Sequence, residues 1–345
     1  MEKFIQIFLL FYFSLFFGQN NFSKADSIAK STKYNGNINE LVLDLTTDFD
    51  NDFDKARSIY FWITENISYD YKLFNKGAQI VKFNCKSKVD CQIKKQEFES
   101  KLIHTVLRKK KAICSGYSTL FKRMCDIATI KSLNIDGYIK NKKSHIGNSG
   151  ILDHAWNAII IENKTYFLDP TWASGYCESD QHGKLNKFVK ERNDFYWLTP
   201  VDKFTIDHFP KNPDKILNFD LTKEAYKNQP YIKSSIIPLI SIENPKEGII
   251  DAKLNDSIIF KFKYIEGIKT IQINTNTERN PKFYTLDKNG NRIFNEKAFN
   301  KQKYIPFKKE SNNFEFLYII KDQNLTYIEI LFDYDLKLKY LVRIK

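Results

Sequence analysis

Apolar residues at Ala56, Ile59, Tyr60, Ile63 and Ile67 recur at helical spacing and predict a helix over 53–69, with Asp52 or Asp54 as its N-cap. Phe98, Leu102 and Val106 line one side of a second predicted helix, 95–108. It runs into the basic stretch 108–111, where cations suit the partial negative charge of a helix C-terminus. A third helix is predicted to begin just after Cys114, because Tyr117, Leu120, Phe121, Met124 and Ile127 or Ala128 form an i, i+3, i+4 and i+7 stripe. Cys125 lies beside that stripe and reads as a small core residue.

Beyond this helix the apolar pattern shortens to that of strands. Residues 136–140, 154–161 and 165–168 are predicted strands, separated by a loop at 141–153 rich in Gly, Ser and Lys and by a turn at 162–164. The aromatic, Pro-punctuated stretch 195–210 closes this unit, and the polar segment 219–232 suits a linker with a short helix. From 236 onward, short runs at 257–264, 270–274, 314–320 and 327–332 cluster Ile, Phe and Tyr between turn signals such as Asn289-Gly290, as in a small sandwich. The expected architecture is α+β: helices packed on an antiparallel sheet, followed by a smaller all-β domain. The expected division is a leader at 1–18, a lead-in at 19–38, a catalytic unit at 39–218, a linker at 219–235 and a β-rich accessory domain at 236–345.

Composition agrees with a globular chain. With 345 residues, 42% of them hydrophobic and 28% charged, the protein is long enough for about two domains and unlike disordered, collagenous or cystine-dense chains. The formal charge of +13 comes from 54 basic and 41 acidic residues, yet only seven of the basic residues are Arg. Because bidentate recognition of phosphates and base edges favours the Arg fork, this skew points to a lysine-rich solvated surface and away from nucleic acid. Loose attraction to an anionic cell-surface polymer is the partner such a surface suggests.

Lys3 precedes an almost unbroken apolar run at 4–17, followed by Gly18 and a polar stretch, which is the layout of a cleavable signal peptide cut near Gly18. The run falls short of the ~20 residues that span a bilayer. A secreted or periplasmic protein without stable membrane insertion is therefore expected, an uncleaved anchor being the alternative. The odd count of five cysteines leaves at least one thiol unpaired in an oxidising compartment. Cys85 and Cys91, six apart in a Lys-rich stretch, are spaced for a local disulfide, and no cluster with zinc-ligand spacing accompanies them.

The candidate chemistry centres on Cys114, Ser115 and Gly116 at the head of the third helix. The partial positive charge at a helix N-terminus favours the nucleophilic thiolate, and the backbone N–H groups left free there are placed to face an oxyanion. His154 begins a predicted strand beside the flexible loop, and Asp169 ends the next strand. If Glu162 and Asn163 form a two-residue hairpin loop, residues on the same rung sum to about 325 by the pairing rule, which sets Asp169 opposite Trp156 and diagonal to His154 on one face. Nucleophile, base and orienting carboxylate are the parts of acyl transfer through a thioester.

The blocks DKARSIYFWITENISYDY (54–71), ICSGYSTLF (113–121), DHAWNAI (153–159) and YFLDPTWASGY (166–176) resemble the transglutaminase-like superfamily, relatives of the papain fold. The ending FYWLTPVDKFTIDHFP (195–210) resembles its kyphoscoliosis-peptidase branch. The resemblance covers roughly half the chain, 39–210. It implies Cys114 as nucleophile, His154 as general base and then acid, and Asp169 as the orienting carboxylate. It also implies a peptidase, amidase or cross-linking acyltransferase acting on a protein or peptide, by a mechanism that requires no metal or organic cofactor; the calcium dependence of some relatives finds no acidic loop here to support it. Pro170 and Trp172 then shape the turn after Asp169, and the Cys114 N–H is the first oxyanion donor; for the second, Tyr71 is the candidate. His208 reads as packing, His104 as surface and His182 as unpartnered, while His145 sits in the loop before His154. The competing expectation is a catalytically silent scaffold that binds a cell-surface or protein partner through the same groove.

Overall fold

The computed structural model describes residues 22–77, 83–216, 219–287 and 290–345. The expected leader and the Asn289 half of the turn signal lie outside them. The first layer is helical. Helices α1 (Ser23–Ser31), α2 (Ile38–Thr46) and α3 (Asp52–Asn66) pack together, with the Arg57 guanidinium gripping Asp26 at 2.6 and 2.8 Å and the Trp62 indole donating to the Thr32 carbonyl. The lead-in is thus a packed helix. The N-cap of α3 is Asn51, whose side chain accepts from the Asp54 N–H, in place of the expected Asp52 or Asp54.

Helix α4 (Lys88–Lys109) starts seven residues before the predicted 95. Its first turns bury no side chain, Val89 and Ile93 standing exposed among polar residues, so no core-facing stripe marks them. Ser87 caps Asp90, and a disulfide between Cys85 and Cys91 ties the entry. Helix α5 (Cys114–Ile127) buries Tyr117, Leu120, Phe121, Met124 and Cys125, as its stripe predicts. Gly116 lets α5 approach closely: a Cβ there would sit 2.8 Å from the Ala112 Cβ and 3.1 Å from Val106.

α5 packs on an antiparallel sheet of β1 (Ser132–Ile139), β2 (Leu152–Ile161), β3 (Lys164–Leu168) and β4 (His208–Pro210), in the order β3-β2-β1-β4. Glu162 and Asn163 both have positive φ, 50° and 60°, as a two-residue hairpin with the strand-matching twist requires. The β2–β3 register pairs Asn157 with Leu168 and Ile161 with Lys164, which is the predicted pairing. β1 is longer than the expected 136–140 because Ser132 and Ile135 also face inward.

The linker is docked on this unit. Its helix α7 (Lys223–Asn228) follows α6 (Pro170–Ala173) in the chain, and buried Tyr226 stacks on Phe209 of β4 at 5.1 Å. The buried Lys140 ammonium donates to the carbonyls of Tyr226, Lys227 and Gln229 at 2.6, 3.0 and 3.1 Å. A cation sitting on the last carbonyls of a helix satisfies groups the helix leaves open.

The C-terminal part is a β-sandwich. One sheet runs β5 (Ile240–Asn244), β7 (Ser257–Tyr264), β10 (Asn313–Ile319) and β9 (Lys308–Glu310). The other runs β6 (Ile249–Ala252), β12 (Asp335–Ile344), β11 (Tyr327–Phe332) and β8 (Ile271–Thr275). β7 alternates exposed and buried residues along its whole length, sending Ile258, Phe260, Phe262 and Tyr264 into the core between the sheets. Phe195 packs against both this core and that of the N-terminal unit.

Candidate functional site

Cys114 is the first residue of α5, after Ile113, whose extended backbone opens the helix without a side-chain cap. Its half-buried Sγ lies 3.7 Å from the carbonyl of Asp153, the second residue of β2, and it is not in a disulfide. Tyr117, one turn on, fixes the helix start: its hydroxyl donates to the Ile67 carbonyl at 2.8 Å and accepts from Ser174. Asn157 of β2 donates to the Ser118 carbonyl at 3.0 Å, so the helix cannot slide along the sheet without breaking a buried hydrogen bond.

His154 is 7% exposed and Asp169 is fully buried, and His154 Nε2 meets Asp169 Oδ2 at 2.6 Å. With Nε2 committed to Asp169, Nδ1 is the ring nitrogen left to serve the neighbouring Cys114 sulfur. The other carboxylate oxygen of Asp169 accepts from the backbone N–H groups of Thr171 and Trp172 at 2.8 and 3.1 Å, because Asp169 is also the N-cap of α6. Pro170 at the first helical position completes that turn. Trp172 does more than shape it: its ring stands 5.3 Å from His154 and walls the imidazole.

Burial alone would lower the pKa of His154, but the Asp169 carboxylate and the Cys114 sulfur outweigh it and raise it to about 10. Burial likewise works against ionisation of Asp169, and the facing imidazoles of His154 and His208 override it, holding the carboxyl well below its usual range. The expected packing role of His208 is therefore incomplete. His208 is fully buried, its Nε2 lies 3.3 Å from the same Asp169 oxygen, and its Nδ1 lies 2.6 Å from Asp207 Oδ1. No local sequence signal marks it beyond the ending His-Phe-Pro, since β4 reaches the site by pairing with β1.

The upstream tyrosine beside Cys114 is Tyr69, two positions before the expected Tyr71. A short parallel ladder pairs Ser68–Tyr69 with Lys111–Ala112 and carries Tyr69 to the head of α5. Burial first, and then the neighbouring Cys114, push its phenol up. Tyr71 instead opens the next short helix. His145 is half-buried in the loop flanking Asp153, while His104 and His182 are exposed. Three ligand-type side chains, His154, Asp169 and His208, converge here, but the 2.6 Å contact is a hydrogen bond. Two ligands each about 2.0–2.1 Å from a tetrahedral ion stand farther apart than that.

Residues 37–189 match the family model described as a transglutaminase-like domain. The kyphoscoliosis peptidase of Mus musculus is 30% identical over 272 residues, 78% of this chain and 36% of its own. That of Homo sapiens is 30% identical over 255 residues, 73% of this chain and 33% of its own. Hillarin of Drosophila melanogaster is 23% identical over 234 residues, 64% of this chain and 26% of its own. The chain spans about a third of the length of the first two relatives. An alignment of 272 residues does not fit within the first 210, so the likeness to the murine protein runs on into the β-sandwich, beyond the blocks that carry the resemblance in sequence.

Proposed function

Because residues 37–189 form a transglutaminase-like domain, we propose that this protein is a cysteine-dependent acyl-transfer enzyme that opens amide bonds of a protein or peptide. The observation that carries the reading is the buried His154–Asp169 pair, 2.6 Å apart, beside the unpaired, half-buried Cys114 at the head of α5. Cys114 gives its thiol proton to His154 Nδ1 and its Sγ attacks the amide carbonyl carbon, the C–S bond forming as the carbonyl π electrons move to oxygen. The Cys114 N–H at the helix N-terminus and the Tyr69 hydroxyl are the donors offered to that oxyanion. His154 Nδ1 gives its proton to the departing nitrogen as the C–N bond breaks, leaving a thioester. Water, or a lysine amine, then attacks the thioester and loses its proton to His154; the sulfur leaves with the bonding pair. Asp169 holds the imidazole in the tautomer and orientation both steps require.

We favour hydrolysis over cross-linking and export by the leader. The disulfide between Cys85 and Cys91 supports an oxidising compartment. The lysine-rich surface would draw the enzyme toward anionic cell-surface polymer, an attraction that fades with salt.

The test is iodoacetamide labelling of the full protein and of His154→Ala, with the modified cysteine mapped by mass spectrometry. Cys125 is buried and serves as an internal control. Rapid labelling of Cys114 that drops at least tenfold without His154 is the expected result. A Cys114 that labels no faster than Cys125, or is indifferent to His154, makes the domain a binding scaffold.

A further inference from the structure

The site contains a second imidazole that a Cys-His-Asp chain does not need. His208 is boxed by aromatic rings, Phe204 at 4.2 Å, Trp172 at 4.6 Å and Trp156 at 5.0 Å, which account for a flat ring at this position. They do not account for its polar partners. Nδ1 lies 2.6 Å from Asp207 Oδ1 and Nε2 lies 3.3 Å from Asp169 Oδ2, so both ring nitrogens face carboxylate oxygens. A neutral imidazole has one N–H and one lone pair, and would aim that lone pair at one of the two oxygens; only the imidazolium donates to both. His208, Asp207 and Asp169 are each at most 1% exposed, so the ring nitrogens meet carboxylate oxygens in place of solvent, while Asp207 Oδ2 has no hydrogen-bond partner among the described residues.

We propose that His208 is a positioning residue, a standing imidazolium held between Asp207 and Asp169, which shares the Asp169 carboxylate with His154 and limits how tightly His154 keeps its own proton. The inference rests on the reading of Cys114 and His154 as a working pair. Its reason is the proton transfer to the departing nitrogen. An imidazolium stabilised by a buried carboxylate and a thiolate parts with its proton reluctantly, and general acids work best when their affinity for the proton is near the working pH. A second positive ring 5.5 Å from His154 opposes that retention, and it does so without displacing the 2.6 Å bond that orients the base.

The other titratable neighbours do not supply this effect. Tyr196 approaches His208 ring to ring at 6.2 Å and burial holds its hydroxyl neutral. Lys140, at the end of β1, turns its ammonium into the carbonyls of the linker helix. Burial alone would strip His208 of its proton, and Asp207 and Asp169 together reverse that.

The experiment is 15N-histidine NMR on the full protein, in which five histidines are readily assigned, run across pH for wild type and His208→Gln, with Cys114 alkylation rates measured in parallel. Gln retains a donor for Asp169 and removes the charge. Expected are two protonated ring nitrogens on His208 at neutral pH, and in His208→Gln an upward move of the His154 titration by about one to two pH units, the size set by a unit charge at this separation in a partly polarisable interior. The alkaline limb of Cys114 alkylation should move with it. A His208 that carries one ring proton at neutral pH in the wild type overturns the proposal, and that reading does not depend on the variant folding. So does a His154 titration unchanged in a folded His208→Gln protein. If wild-type Cys114 alkylates slowly and without regard to His154, the enzyme reading falls by itself, while the protonation state of His208 is still read directly.

Discussion

His154 on β2 and Asp169, the residue just past the end of β3, stand fifteen residues apart, and their Nε2 and Oδ2 atoms meet at 2.6 Å because the hairpin between them turns in two residues, Glu162 and Asn163. That turn fixes the register, the register places the two side chains diagonally on one face, and the pair gives the imidazole its direction.

Asp169→Asn is expected to reduce activity and Cys114 alkylation roughly 10²- to 10⁴-fold. If the Asn oxygen keeps the cap on Thr171 and Trp172, its NH2 faces His154 Nε2 and donates to it. The ring proton is then forced onto the nitrogen that should receive one from Cys114. Alkylation rates beside a thermal melt separate this from unfolding; wild-type alkylation in a folded Asp169→Asn protein would remove Asp169 from the mechanism.

The same pair makes stability depend on pH at both ends. His154 has its affinity for the proton raised from 6.5 to about 10, so its contribution is complete below pH 6.5 and is lost as pH rises toward 10. Asp169 is depressed from 3.8, so its contribution is complete above that value and is lost as pH falls below it. Wild type should therefore be most resistant to urea between about pH 4 and 6.5 as far as these groups decide it. Between pH 6.5 and 10 it should lose more of its urea midpoint than His154→Gln does. Equal losses in the two proteins would contradict the ion pair.

Gly137→Ala should destabilise the fold by about 1–3 kcal/mol through overpacking. A Cβ there would lie 2.1 Å from the Trp156 ring and 2.4 Å from the Phe209 carbonyl, between the strand that carries His154 and the strand that carries His208. Urea melts should register the loss, and Cys114 alkylation should slow as Trp156 is pushed against the two imidazoles.

Replacing Cys85 and Cys91 together by Ser is expected to cost about 2 kcal/mol, the chain entropy of so small a loop. The loss should show as faster hydrogen exchange in the first turns of α4. Cys114 alkylation should be unaffected, since Cys114 is not part of that disulfide.

The stripe along α5, the alternation along β7 and the two-residue turn after β2 were legible in the sequence because each is set by neighbours a few positions away: a period of 3.6, a period of 2, and two residues tolerant of positive φ. The order of Cys114, His154 and Asp169, and the shared face of the last two, followed from the same local rules. The start of α4 was not legible, because its first turns bury no side chain and are held by the Ser87 cap and a disulfide. Tyr69 and His208 were beyond local reading for another reason. Tyr69 reaches Cys114 through a parallel pairing with 111–112, and His208 reaches Asp169, 39 residues earlier, because β4 closes the sheet against β1. Such meetings depend on the order of strands and the packing of whole layers, a sum over many weak contacts that no short window of sequence contains. The sequence by itself determined which residue types stand ready for acyl transfer; the tertiary structure decided that Asp169 answers to two imidazoles, because only the closed sheet brings the second one within reach.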